Sequence, residues 1–150
     1  MIKSSYRQLG FTLIELVIAV MIVGVLLTIA IPMYTEQVKH ARRADAKVAL
    51  AELSQLQEIY HADNHKFAES LENLKAEKQG FKKEGTSYYS KEGYYALNIV
   101  SASANSFSIE ARADANKAQK DDAACQRFTM NALSEKEAYD DANTLSPKCW

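Results

Sequence analysis

Residues 11–31 read FTLIELVIAVMIVGVLLTIAI, a run in which Glu15 is the single charge. As an α-helix rising about 1.5 Å per residue, the run is roughly 30 Å long, the thickness of a bilayer's hydrocarbon core. The preceding MIKSSYRQLG carries Lys3 and Arg7 and no acid. Positive charge there holds that end in the cytoplasm and sends the rest of the chain across the membrane. A cleaved secretory signal fits less well. It needs an apolar core of about 7–15 residues followed by a small-x-small site, and this run is longer and ends without one. An uncleaved single-pass anchor fits the hydropathy equally well but leaves Glu15 unexplained.

A carboxylate at mid-membrane costs about 2.5–3.5 kcal/mol on insertion scales and demands a partner or a function. Cleavage between Gly10 and Phe11 supplies a partner. The new α-amine on Phe11 lies one helical turn before Glu15, and Glu15 sits in the first turn, where the helix dipole favours an anion. The pair can close within one chain or between chains packed side by side. In the second case Glu15 sets the stagger of neighbouring helices.

The remaining composition is that of a folded chain of about one domain. Eighteen Lys and Arg against nineteen Asp and Glu leave a net charge of −1, so no broad basic field faces nucleic acid or acidic lipid. Apolar residues at 47% and charged residues at 25% exclude general disorder. Five Gly and two Pro exclude collagen-like or linker-like sequence. Two Cys exclude a disulfide-dense miniprotein and a four-Cys zinc site.

Apolar spacing continues past the membrane run. Tyr34, Val38, Ala41, Val48, Ala49, Leu53, Leu56 and Tyr60 recur at three- and four-residue steps, which predicts one amphipathic helix ending near Asp63 and Asn64. Pro32 removes a backbone bond inside that helix and, with Gly24, defines a weak stretch, either a static kink or a segment able to unwind. Residues 61–93 read as a polar connecting region with one short helix. Period-2 alternation then predicts strands over Tyr94–Val100 and Ser106–Ala113, joined by a small polar turn around Ser101–Asn105, and a third over Gln126–Leu133. Asp114–Ala124 reads as a charged connector, and 134–148 as irregular. The expectation is α+β: a long N-terminal helix, half transmembrane and half amphipathic, packed on a small antiparallel sheet. The chain divides into a leader (1–10), a spanning helix (11–32) and a head (33–150).

Cys125 and Cys149 fall on the non-cytoplasmic side, where disulfides persist. A bridge would tie the C-terminal loop to the third strand; a pair of free thiols is the alternative. Other chemistry is thinly supported. His61 and His65 have a spacing at which two helical histidines can share a metal, but they sit at the helix end with no third ligand, and surface histidines are the plainer reading. There is no nucleotide-binding glycine loop and no nucleophile elbow. No catalytic residue, cofactor site or metal site is expected, and the chain is read as a structural subunit, not an enzyme. Lys117, Lys120, Arg127, Lys136 and Lys148, with Tyr88, Tyr89, Tyr94 and Tyr95 clustered nearby, are ingredients of a nucleic-acid surface. Asp121, Asp122, Glu135, Glu137, Asp140 and Asp141 are interleaved with them, which favours an ordinary solvated surface.

Gly10-Phe11-Thr12-Leu13-Ile14-Glu15, after a short basic leader and before an apolar run, resembles the N-terminus of type IV pilins. The resemblance implies cleavage after Gly10 by a prepilin peptidase, N-methylation of Phe11, and assembly through Phe11 and Glu15. Gly24 and Pro32 fall where pilins carry helix-loosening residues, and Cys125 with Cys149 resembles the disulfide that delimits the pilin surface loop. Gln57 to Tyr60, Asn64, Phe67, Leu71, Leu74, Cys125 to Leu133 and the closing Cys149-Trp150 are similar to minor pilins of the PilE type, with a departure at Ser134–Tyr139, which lacks their glycines. The implied partners are other pilins, the prepilin peptidase, the inner-membrane assembly platform and, before assembly, the membrane itself. The implied location is the inner membrane with a periplasmic head, then an extracellular filament serving motility, adhesion or DNA uptake. A major pilin, a DNA-binding competence pilin and a type II secretion pseudopilin, whose heads use calcium in place of the disulfide, are the alternatives.

Overall fold

A computed structural model describes residues 11–150; the leader, with Lys3, Arg7 and Gly10, lies outside the described residues. Helix α1 runs over Leu13–Asn64, ending where the apolar spacing does. The chain divides into two compact units, one ending at Gln37 and one comprising Val38–Trp150.

In the first unit, α1 is long and apolar enough to cross a membrane, with a mean hydropathy of 2.9 over its best window and none of that window buried. The helix is continuous through Gly24 and Pro32. Pro32 has no N–H to give the Thr28 carbonyl. Thr28 and Thr35 fold their hydroxyls back onto the helix, donating to the Val25 carbonyl (2.6 Å) and the Pro32 carbonyl (2.8 Å), the arrangement that lets a hydroxyl sit in an apolar helix.

In the second unit, α1 covers a six-stranded antiparallel sheet whose neighbours are all consecutive in the chain. The strands are β1 (Lys82–Glu84), β2 (Ser87–Tyr89), β3 (Tyr95–Ala102), β4 (Phe107–Ala113), β5 (Arg127–Asn131) and β6 (Lys136–Tyr139). The α+β expectation and the β3–β4 hairpin hold. Tyr95 and Leu97 from β3, Phe107, Ile109 and Ala111 from β4, and Phe128 and Met130 from β5 all point into the core. Val100 faces outward with Asn98, as the alternation requires, and the β3–β4 register then slips between Ile99 and Ser101.

Three features depart from the sequence reading. The stretch read as a connector contains the β1–β2 hairpin. Its β1 is three residues with every side chain exposed, so no period-2 signal exists to find. Lys82 and Lys83 on this edge strand discourage further strand pairing. The 134–148 stretch contains β6, paired with β5 from Arg127↔Tyr139 to Met130↔Lys136, although Ala138 is its one buried side chain. The buried stripe of α1 is Ala46, Ala49, Leu50, Leu53 and Gln57, whereas Val48 is 53% exposed and Ala41 is also exposed. Ala46 and Ala49 lie on the covered stripe, and Val48 lies off it.

Two devices fasten the head's periphery. Gln57, fully buried, accepts from the Ala68 N–H (2.8 Å) and donates to the Ala68 carbonyl (2.9 Å), which pins the segment leaving α1. Cys125 and Cys149, both buried, form the disulfide, with Cα atoms 5.8 Å apart. Cys149→Ser is expected to lower head stability by about 3–4 kcal/mol on the chain-entropy account. Denaturant unfolding of the full chain in detergent micelles, followed by Trp150 fluorescence, measures it; an unchanged midpoint would show that the bridge is not the staple.

Candidate functional site

The first site is the start of α1. Thr12 donates its N–H (2.9 Å) and its hydroxyl (2.8 Å) to Glu15 Oε2, and the Glu15 N–H donates back to the Thr12 hydroxyl (3.3 Å). This is a reciprocal capping arrangement, and its signature is a Thr followed three residues later by a Glu. That signal stands in the sequence and was passed over for the amine on Phe11. In the intact chain Glu15 therefore satisfies its own helix terminus through one oxygen. Its Oε1 accepts no hydrogen bond among the described residues, which leaves it available to a second donor. Phe11 is 91% exposed. Gly10, the residue before the expected cut, lies outside the described residues.

The second site is a buried polar cluster near the start of the head. Arg43 donates to both oxygens of Asp122, from Nε (2.7 Å) and from a terminal nitrogen (2.8 Å), and both residues are buried. Gln119, fully buried, donates from Nε2 to Asp122 (2.7 Å) and to the Lys39 carbonyl (3.2 Å). Arg42 donates to the Ala118 carbonyl (3.3 Å). The 3-10 turn at Ala118–Asp121 is thus fastened to α1. Tyr95 lies beside this cluster, and burial pushes its hydroxyl well above the ordinary tyrosine range. The sequence reading placed Asp122 among the solvated acids; nothing local in the chain announces its pair with Arg43, formed across 79 positions.

The head surface pairs cations with aromatic rings. Arg42 lies over Tyr94 (4.8 Å), Lys83 over Tyr88 (5.2 Å), Lys117 over Tyr89 (4.9 Å) and Arg127 over Tyr139 (4.1 Å). Most of these cations are also paired with acids: Lys117 with Glu84 (2.9 Å), Lys83 with Glu72 (3.9 Å) and Arg127 with Glu110 (3.9 Å). Asp114 is held below the usual carboxylate range by the Asn116 N–H and the Tyr89 hydroxyl. Of the basic and tyrosine residues singled out in the sequence, Lys117 and Tyr89 meet; Tyr88 and Tyr94 pair instead with Lys83 and Arg42, and Tyr95 is buried in the core.

His61 stacks on Phe67, with centroids 4.4 Å apart, and its Nε2 meets the Ala104 carbonyl at 3.0 Å. It fastens the β3–β4 turn to the end of α1. His65 is exposed, with a left-handed backbone. Among the described residues, no group of three His, Cys, Asp or Glu side chains is placed to hold a metal ion. An open groove of about 560 Å³ runs beside α1, lined by Val38, Ala41, Val48 and Tyr94 together with Arg42 and Asp45.

Comparison with known proteins gives this arrangement a family. Residues 5–31 match the prokaryotic N-terminal methylation motif. The type II secretion system core protein G of Pectobacterium carotovorum subsp. carotovorum is 32% identical over 74 residues, 49% of this chain and 47% of that protein. The chain thus spans about half the length of the curated relative it matches. Residues 32–129, most of the head, match a family model described as type IV minor pilin ComP, DNA uptake sequence receptor. Where the head residues resembled PilE, the matched description names ComP, and both are minor pilins. An exposed apolar helix opening on a methylation motif, joined to an α+β head that this model covers as far as residue 129, makes the chain a member of the type IV minor pilin family.

Proposed function

We propose that this minor pilin serves DNA uptake from within a type IV filament. The match of residues 32–129 to a family described as a DNA uptake sequence receptor carries this reading. It shifts the weight given to the interleaved charges of the head, which composition alone assigned to an ordinary surface. The protein begins as a precursor in the inner membrane, its head in the periplasm. A prepilin peptidase cuts after Gly10, and Phe11 is N-methylated. The assembly platform then moves the subunit into the filament, where it meets other pilins. The transfer is feasible because the apolar helix stays out of water in both settings, first in lipid and then among neighbouring helices. Phe11 and Glu15 register the subunit, Gly24 and Pro32 are the place where the helix can loosen, and the head performs no catalysis.

The test has two arms. The full chain in detergent micelles is expected to bind duplex DNA with an affinity that falls steeply as salt rises, as phosphate neutralisation requires. Deleting the gene is expected to lower DNA uptake while leaving filament number near normal. No duplex binding at about 50 mM salt, or unaltered uptake in the deletion strain, would overturn the reading. The identity to the secretion core protein favours a pseudopilin role as the second reading; loss of protein secretion with intact DNA uptake in the deletion strain would select it.

A further inference from the structure

Gly24 and Pro32 lie in a part of α1, Leu13 to Gln37, in which every residue is exposed. Val38 and Lys39 are the first half-buried residues of the helix, and Arg43 is the first buried one. The single turn from Lys39 to Arg43 is held from outside the helix. Gln119 donates to the Lys39 carbonyl (3.2 Å), the acceptor that the Arg43 N–H uses in an α-helix. Arg42 donates to the Ala118 carbonyl (3.3 Å), and Arg43 is bidentate on Asp122. The segment that grips the helix is itself anchored. The Asp122 carbonyl accepts from the Cys125 N–H (3.1 Å) and from the Gln126 side chain (3.0 Å), and Cys125 carries the disulfide.

We propose that this turn is a stop: unwinding that begins at Gly24 and Pro32 spreads toward the head and ends at Lys39. The proposal rests on the reading of Gly24 and Pro32 as the place where the helix loosens, and adds where the loosening ends. Unwinding advances residue by residue, each step giving up one backbone bond. As far as Gln37 the side chains released are already exposed. Across Lys39 to Arg43 the next steps also withdraw the Lys39 carbonyl from Gln119 and pull apart two buried charges, Arg43 and Asp122, a far larger penalty. A helix drawn lengthwise gains roughly 2 Å for each residue that unwinds. The stop confines that lengthening to residues ahead of Ala46, where the apolar core of the head begins.

Hydrogen exchange of the full chain in detergent micelles, read by mass spectrometry on overlapping fragments, tests the stop. In the unaltered chain the amides of residues 34–38 are expected to exchange at least about 10-fold faster than those of 46–53, with the change falling between Val38 and Arg43. In Gln119→Leu, and in Arg43→Met with Asp122→Leu, fast exchange is expected to extend through Ala44 to Ala46, the next buried residue. The amides of β4 keep their rates in both, which separates a moved boundary from an unfolded head. If the double variant loses β4 protection, Gln119→Leu and Arg42→Gln carry the test, each with a smaller shift in the same direction. A boundary that stays put in the variants, or one already beyond Arg43 in the unaltered chain, overturns the stop and leaves the loosening reading standing. Residues 34–38 as protected as 46–53 in the unaltered chain would remove both.

Discussion

Glu15→Ala is expected to leave synthesis, membrane insertion and cleavage intact while removing the subunit from sheared filaments. Two different losses follow from this change, and their sizes tell them apart. The capping bonds with Thr12 are worth about 1 kcal/mol. A carboxylate paired with a neighbour's amine in a dry filament core is worth more to lose: breaking one half of a buried pair costs about 3–5 kcal/mol, a factor of at least 10² in occupancy. Thr12→Val removes the cap and leaves the carboxylate, so it is expected to keep most of the incorporation. Immunoblots of sheared filaments against cell-bound protein measure both variants. Equal incorporation of Glu15→Ala and the unaltered chain would remove the registering role from Glu15.

The second large effect is expected at Asp122. Asp122→Ala leaves the Arg43 guanidinium buried without its bidentate partner and takes an acceptor from Gln119. The expected loss is about 3–5 kcal/mol, much of the 5–15 kcal/mol by which a typical domain is stable. Replacing both charges, as in Arg43→Met with Asp122→Leu, is expected to recover most of it, because an apolar pair of similar volume needs no desolvation of ions. Urea unfolding of the full chain in micelles, followed by Trp150 emission, gives both values. A loss below about 1 kcal/mol for Asp122→Ala would mean that water reaches Arg43 and that the cluster does not clamp the turn at Ala118–Asp121.

What could be read in the sequence followed from strong local periodicities. The apolar run declares itself by length and composition, and the head half of α1 and strands β3, β4 and β5 each carry a repeating pattern of buried side chains that the chain displays by itself. Strands β1 and β6 are held by backbone bonds to a neighbour and bury almost nothing of their own, so residue type cannot betray them. The same distinction governs the sites. Glu15 stood out because a lone charge in an apolar run is locally anomalous, and its cap with Thr12 was equally local though overlooked. Arg43 with Asp122, and Lys39 with Gln119, are meetings of distant segments that become visible when the helix is laid on the sheet. Ala46 and Ala49 lie on that contact face, and alanine is too common on either side of a helix to declare which side is covered.

The meander of the head also bears on how the protein is made. Each strand's partner is the next one in the chain, β1 with β2 through β5 with β6, so the sheet can grow strand by strand as the chain is made. No early strand waits with an open edge for a late one, and this shortens the interval in which a half-made head could adhere to its neighbours. The covalent tie between Cys125 and Cys149 then closes over a sheet that is already complete.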